Sequence, residues 1–184
     1  TAPDGSYVLI ADTNNNAIRR MMIPQDRTAK ATVTTLQASP FSEPRGLSIL
    51  PGGQFALVVD KHSLKKASLS DQFVDILAGS SLDLNNPWIR STAGYKEGVG
   101  ADALFSFPSD VDVSSDGRWA FISDSYNNMI RRVDLVSKQT YLLAGPGLQD
   151  DPAGTDGVGS LAKLSLPGGL SLFPDGERLA FADS

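Results

Sequence analysis

The residues able to do chemistry in this chain are few, and their spacing repeats. Asp124 and Arg131 lie 7 positions apart in "DSYNNMIRR", and Asp12 and Arg19 lie 7 apart in "DTNNNAIRR". Acid, polar loop, hydrophobe and paired arginines are thus spelled twice. A catalytic loop rarely occurs twice in one domain; a structural repeat must. An ion pair is the reading the residues support, because an arginine among apolar neighbours has to be paired. Display of the arginines to an acidic ligand is the alternative. His62 is the one histidine and there is no cysteine. Thiolate chemistry, disulfides and Cys-ligated metals are excluded, a multi-His metal site is impossible from this chain alone, and a nucleophilic triad would have His62 as its only base. His62 itself reads as a solvated loop residue. Asp150, Asp151 and Asp156 in "LQDDPAGTDG" could offer oxygens to calcium, but the EF-hand spacing is absent and a solvated loop is expected. The "GVG" stretches at 98–100 and 157–159 lack the lysine and helix of a phosphate loop and read as turns between units. The sequence therefore calls for no metal and no cofactor.

The elements that position these residues are themselves repeated. Gly5 and Asp12, Gly53 and Asp60, Gly117 and Asp124, and Gly176 and Asp183 are each separated by 7 residues. Pro44, Pro108 and Pro167 each stand 9 residues before the turn glycine. Successive acids are 48, 64 and 59 residues apart, so a fixed cassette is joined by variable spacers. "SDVDVS" alternates and ends in a turn with glycine, and "WAFISD", "MIRRVDL" and "QTYLLAG" follow as further short strands. Alternation along "MIRRVDL" puts Met129, Arg131, Val133 and Leu135 on one face and Ile130, Arg132 and Asp134 on the other. No stretch of ten or more residues carries a helical period. Four strands per unit, with two faces to cover, predict blades of an all-β propeller stacked on one another. A β-sandwich would not demand so strict a register. Cassettes are expected at about 1–37, 41–79, 94–145 and 154–184.

"EGVGADALFSFPSDVDVSSDGRWAFISDSYNNMIRRVDL" and "DGVGSLAKLSLPGGLSLFPDGERLAFADS" resemble NHL repeats: Gly-x-Gly, Ala and a hydrophobe, Pro, strand, Asp-Gly, strand, Asp, Asn, hydrophobe-Arg. The likeness covers nearly the whole chain, about three and a half repeats. Its second copy, "VVDKHSLKKASL", lacks the Asn, is two residues shorter in the loop, and has Lys65 and Lys66 in place of arginines. The resemblance implies a propeller of four-stranded antiparallel blades, incomplete within this chain. The chain is therefore expected to be part of a larger polypeptide or assembly, with further blades or protein partners completing it. It implies a non-enzymatic binding or scaffold module. Two alternatives belong to the same fold: a lactonase- or lyase-like enzyme with a metal in the central channel, and an RNA-binding NHL domain. The single histidine counts against a zinc lyase of the peptide-amidating type. An extracellular or cell-surface setting is the expectation, since such propellers are frequent in large extracellular proteins.

Composition agrees with a binding module. Net charge is -5, which disfavours nucleic acid and anionic membranes as partners. No run approaches the ~18 apolar residues of a membrane span. Structural roles are expected for Asp12, Arg19, Asp60, Asp124, Arg131, Asp183, Gly53, Gly117 and Gly176. The 80–98 insertion, with Trp88, Arg90 and Tyr95, either buries its Trp against its own blade or offers partner contacts, because Trp, Tyr and Arg are enriched in binding hot spots. The loops after the repeated acids add Asn14, Asn16, His62, Tyr126 and Asn127. Turns with left-handed backbone are expected within the Asn runs.

Overall fold

A computed structural model describes residues 1–26, 28–37, 40–80, 91–146 and 155–184. It contains four antiparallel sheets in chain order. The first holds β1 (Tyr7–Asp12), β2 (Ala17–Met22) and β3 (Thr32–Gln37). The second holds β4 (Pro44–Ile49), β5 (Phe55–Asp60), β6 (Ser63–Ser68) and β7 (Val74–Gly79). The third holds β9 (Asp110–Val113), β10 (Trp119–Asp124), β11 (Met129–Asp134) and β12 (Gln139–Ala144), and a two-residue strand, β8 (Gly98–Val99), pairs outside β12. β13 (Leu170–Leu172) and β14 (Leu179–Phe181) form the last. Apart from β8, consecutive strands within a sheet pair with one another, the meander expected of a propeller blade.

The hydrophobic pattern explains the stacking. β5 is buried from Ala56 to Asp60, so this strand is covered on both faces. Its Leu57 and Val59 pack with Phe105 of the loop that precedes β9 and with Val111, Ala120, Ile122 and Val133 of the third sheet. Val58, on the opposite face, packs with Ile18 of the first. The core therefore lies between blades. First strands lie side by side from sheet to sheet, β4 against β9 and β9 against β13.

Gly46 on β4 makes one of these approaches possible: a Cβ there would overlap Asp110 Cα and come within 2.9 Å of the Ser109 carbonyl. The turn glycines Gly53, Gly117 and Gly176 take φ of +71°, +71° and +72°, the left-handed conformation that glycine adopts without cost. The 98–100 glycines do more than turn the chain, since Gly98 and Val99 are the extra strand and Gly100–Asp102 a single 3-10 turn.

Candidate functional site

Three of the repeated acids, Asp60, Asp124 and Asp183, reach the loop that leads into their own blade. Asp60 Oδ1 accepts the N–H groups of Ser42 and Glu43, at 2.8 and 2.7 Å. Asp124 Oδ1 accepts that of Ser106 at 2.7 Å, and Asp183 Oδ1 that of Ser165 at 2.7 Å. The separation is 18 residues from Ser42, Ser106 and Ser165 alike. The second carboxylate oxygen takes the cation. Arg131 Nη1 lies 3.0 Å from Asp124 Oδ2, with both side chains fully buried. The guanidinium also donates to the carbonyls of Leu104 (3.1 Å) and Lys96 (3.0 Å), and Asn127 Nδ2 bridges Asp124 to the Gly94 carbonyl. In the second copy Lys65 Nζ does the same work with one ammonium, donating to Asp60 Oδ2 and the Pro40 carbonyl, each at 2.6 Å. The first copy is more open: Arg19 Nε meets Asp12 Oδ2 at 2.6 Å, and Asn15 adds two bonds. Arg19 and then Asn15 hold the Asp12 carboxyl below its ordinary range. Burial pushes Asp124 the other way, up to about 6, against the hydrogen bonds from Ser106, Asn127 and Arg131.

The second basic residue of each pair lies on an aromatic ring. Arg20 covers Tyr7 at 4.7 Å, Lys66 covers Phe55 at 4.1 Å, and Arg132 covers Trp119 at 4.3 Å. The ring belongs to the neighbouring strand, two positions from the residue directly opposite the cation, so a diagonal cation–π contact ties these two strands in each of the three sheets. Alternation in "IRR" explains the doubling: one cation goes into the core and the next to the opposite face.

Loops after the acids latch one blade to the next. Thr13 Oγ1 donates to the Pro44 carbonyl and Ser125 Oγ to that of Pro167, both at 2.7 Å. Asn16 and Asn128 close these loops with φ of +52° and +56°. Asn128 Oδ1 accepts the Leu166 N–H at 2.9 Å. His62 stands in the corresponding place, three residues before the buried cation, as Asn16 and Asn128 do. Its Nδ1 accepts the Phe107 N–H at 3.3 Å, and its ring meets Phe107 edge-on at 4.4 Å. The solvated loop expected for His62 is thus corrected: the residue is 4% exposed. Burial lowers its pKa first, with Lys61 next, against the pull of Glu43.

Other expected contact residues divide. Tyr126 (60% exposed), Asn14 and Asn16 face solvent. Asn127 does not, because its amide is drawn inward by Asp124 and Gly94. Tyr95 is half-buried, with the Arg131 guanidinium 4.9 Å from its ring. Trp88 and Arg90, and with them Asp150 and Asp151, lie outside the described residues.

Asp110 and Asp112 of β9 form a second constellation, one that does not recur. Gly46 and Ser48 stand there in the second blade and Gly169 and Ser171 in the fourth. Asp110 Oδ2 and Asp112 Oδ2 accept the N–H groups of Leu170 and Leu172 on β13, each at 2.9 Å, and Ser48 Oγ donates to Asp112 Oδ1 at 2.9 Å. Three first strands are thereby tied by two carboxylates. Burial raises the Asp110 pKa, more than the Leu170 and Val111 N–H groups lower it. Among the described residues no three of His, Asp and Glu gather as a metal set.

No family model matches the chain. It is 34% identical over 157 residues to Protein SUPPRESSOR OF QUENCHING 1, chloroplastic, of Arabidopsis thaliana, covering 82% of this chain and 14% of that protein. It is 31% identical over 148 residues to NHL repeat-containing protein 2 of Bos taurus, covering 78% of this chain and 20% of the relative. The chain thus spans a fifth or less of the length of these relatives. In shape it is similar to an auxiliary nutrient binding protein from Bacteroides thetaiotaomicron, with a TM-score of 0.68 at 20% identity over 100% of this chain and 44% of that one.

Proposed function

The chain belongs to the NHL-repeat β-propellers, and from that premise we propose that it is a non-enzymatic binding module, a rigid piece of a larger disc that presents loop residues to a protein partner. One observation carries this reading. The groups best suited to acid–base work hold the fold: Asp60 and Asp124 fix their own loops, Lys65 and Arg131 answer them, and His62 accepts a backbone N–H. What the same loops leave in solvent is Tyr126, Asn14 and Asn16. The net charge of -5 supports a protein partner over RNA.

A second reading rests on Asp110 and Asp112, the acid pair found in one blade only. Carboxylates on a first strand are where a lactonase-like propeller would hold a metal, and burial raises the pKa of Asp110. Against it, both carboxylates already accept hydrogen bonds from neighbouring strands. Hydrolysis of simple γ- and δ-lactones, with and without calcium, separates the two readings. The binding module gives no turnover above buffer. Calcium-dependent turnover that Asp112→Asn abolishes would make the protein an enzyme.

A further inference from the structure

The junction between the second and third blades carries something its neighbours lack. Tyr126 lies 5.0 Å from Phe107, ring to ring, and Phe107 meets His62 at 4.4 Å. Three rings thus form a step, closed at His62 and open at Tyr126, which is 60% exposed. Arg45 lies beside the step, its guanidinium carbon 5.5 Å from the Phe107 ring centre. At the next junction the places of His62, Phe107 and Arg45 are held by Asn128, Leu166 and Ser109; at the one before, Asn16 and Glu43 stand for His62 and Phe107. Stacked rings and a cation therefore come together at one point of the rim.

The backbone beneath is firmly held. Phe107 has φ of +46°, a conformation that non-glycine residues keep only where the surroundings impose it. Its N–H goes to His62, and the Tyr126 N–H goes to the Ser106 carbonyl at 3.1 Å. Little ordering remains to be done when a ligand lands, which favours binding. The cation is incompletely answered. Arg45 Nε is buried without a hydrogen-bond partner, and Glu43 meets Arg45 Nη2 at 3.7 Å, too far for a hydrogen bond. Lys61 precedes His62 in the chain, so a second cationic residue stands beside the step, on a chain whose net charge is -5.

We propose that this step docks an acidic peptide segment, its Asp or Glu carboxylate taken by Arg45 with Lys61 behind it, and an adjacent apolar side chain laid on Tyr126 and Phe107. The proposal rests on the binding-module reading and names the partner's chemistry. Planar guanidinium and carboxylate match in bidentate fashion, and a tyrosine offers a large contact at small entropic cost.

Fluorescein-labelled octapeptides in three series test it by anisotropy against the 184-residue chain. One series alternates Glu or Asp with Leu or Phe, the second has Lys for each acid, and the third has Ser for each apolar residue. The first series is expected to bind at least tenfold more tightly than the other two. Tyr126→Ala and Arg45→Glu are each expected to weaken it at least tenfold, and added salt to weaken it further. Tyr126→Ala should keep the wild-type melting temperature, and Arg45→Gln replaces Arg45→Glu if the latter does not fold. Equal binding by the lysine series, no binding by any series, or binding that both variants leave intact overturns the proposal. In the last case the chain still binds peptides, so the module reading survives while this site does not; lactone turnover, not peptide binding, is what sinks that reading.

Discussion

A guanidinium with no exposed surface has to be answered where it can be, and Arg131 shows how: Nη1 and Nη2 find a carboxylate and two carbonyls, Nε has no hydrogen-bond partner, and the faces of Tyr95 and Phe105 lie 4.9 and 5.2 Å from its central carbon. Lys65 reaches the same end with a shorter loop, because an ammonium needs fewer acceptors than a fork of five N–H donors. At this scale His62 gives the sharpest expectation. Its folded pKa lies below the ordinary ~6.5, so the unfolded chain binds the proton more readily. Stability from this group is therefore complete above that value and is lost as pH falls through it towards the lowered folded pKa. Protonation also removes the acceptor for Phe107 N–H. In urea titrations from pH 7.5 to 5 the wild type should lose stability relative to His62→Asn, which restores the arrangement of Asn128; Asp124, whose raised pKa favours the folded state as pH falls, acts on both proteins and cancels in the difference. His62→Ala should cost about 1 kcal/mol at pH 7.5, the net worth of one hydrogen bond.

Elements were legible where their signal was local. The glycine-to-acid spacing of 7 and the alternation in "SDVDVS" locate β9 and β10, since a strand and its turn are set by neighbours in sequence. Hidden from that reading were contacts between loops far apart: the carboxylate-to-N–H bond across 18 residues, the place of His62 in the blade latch, and the inward turn of Asn127. A count of three residues back from each buried cation would have aligned His62 with Asn16 and Asn128; the two-residue deletion concealed it. The approach of first strands was equally out of reach, as it depends on how blades pack. Gly46 measures that approach. Gly46→Ala should cost about 1–3 kcal/mol by overpacking against the backbone of β9, read as a lower unfolding midpoint with an unchanged denaturant slope.

For the whole molecule, one device recurs: an acid that holds the incoming loop of its blade and a cation that answers the acid. Blades then stack on apolar faces, with β5 buried on both sides, and side-chain latches close the rim. The edge strands β1 and β14 each pair on one side only among the described residues, so the stacked core and these knots have to supply the order. Urea unfolding of Asp124→Ala beside Tyr126→Ala tests this most directly. Loss of the acid strands Arg131 as an uncompensated buried charge and frees the Ser106 N–H, so the account predicts a loss of about 3–5 kcal/mol. Tyr126→Ala, at an exposed ring, should stay within about 0.5 kcal/mol of the wild type. Equal stability of Asp124→Ala and the wild type would contradict the account.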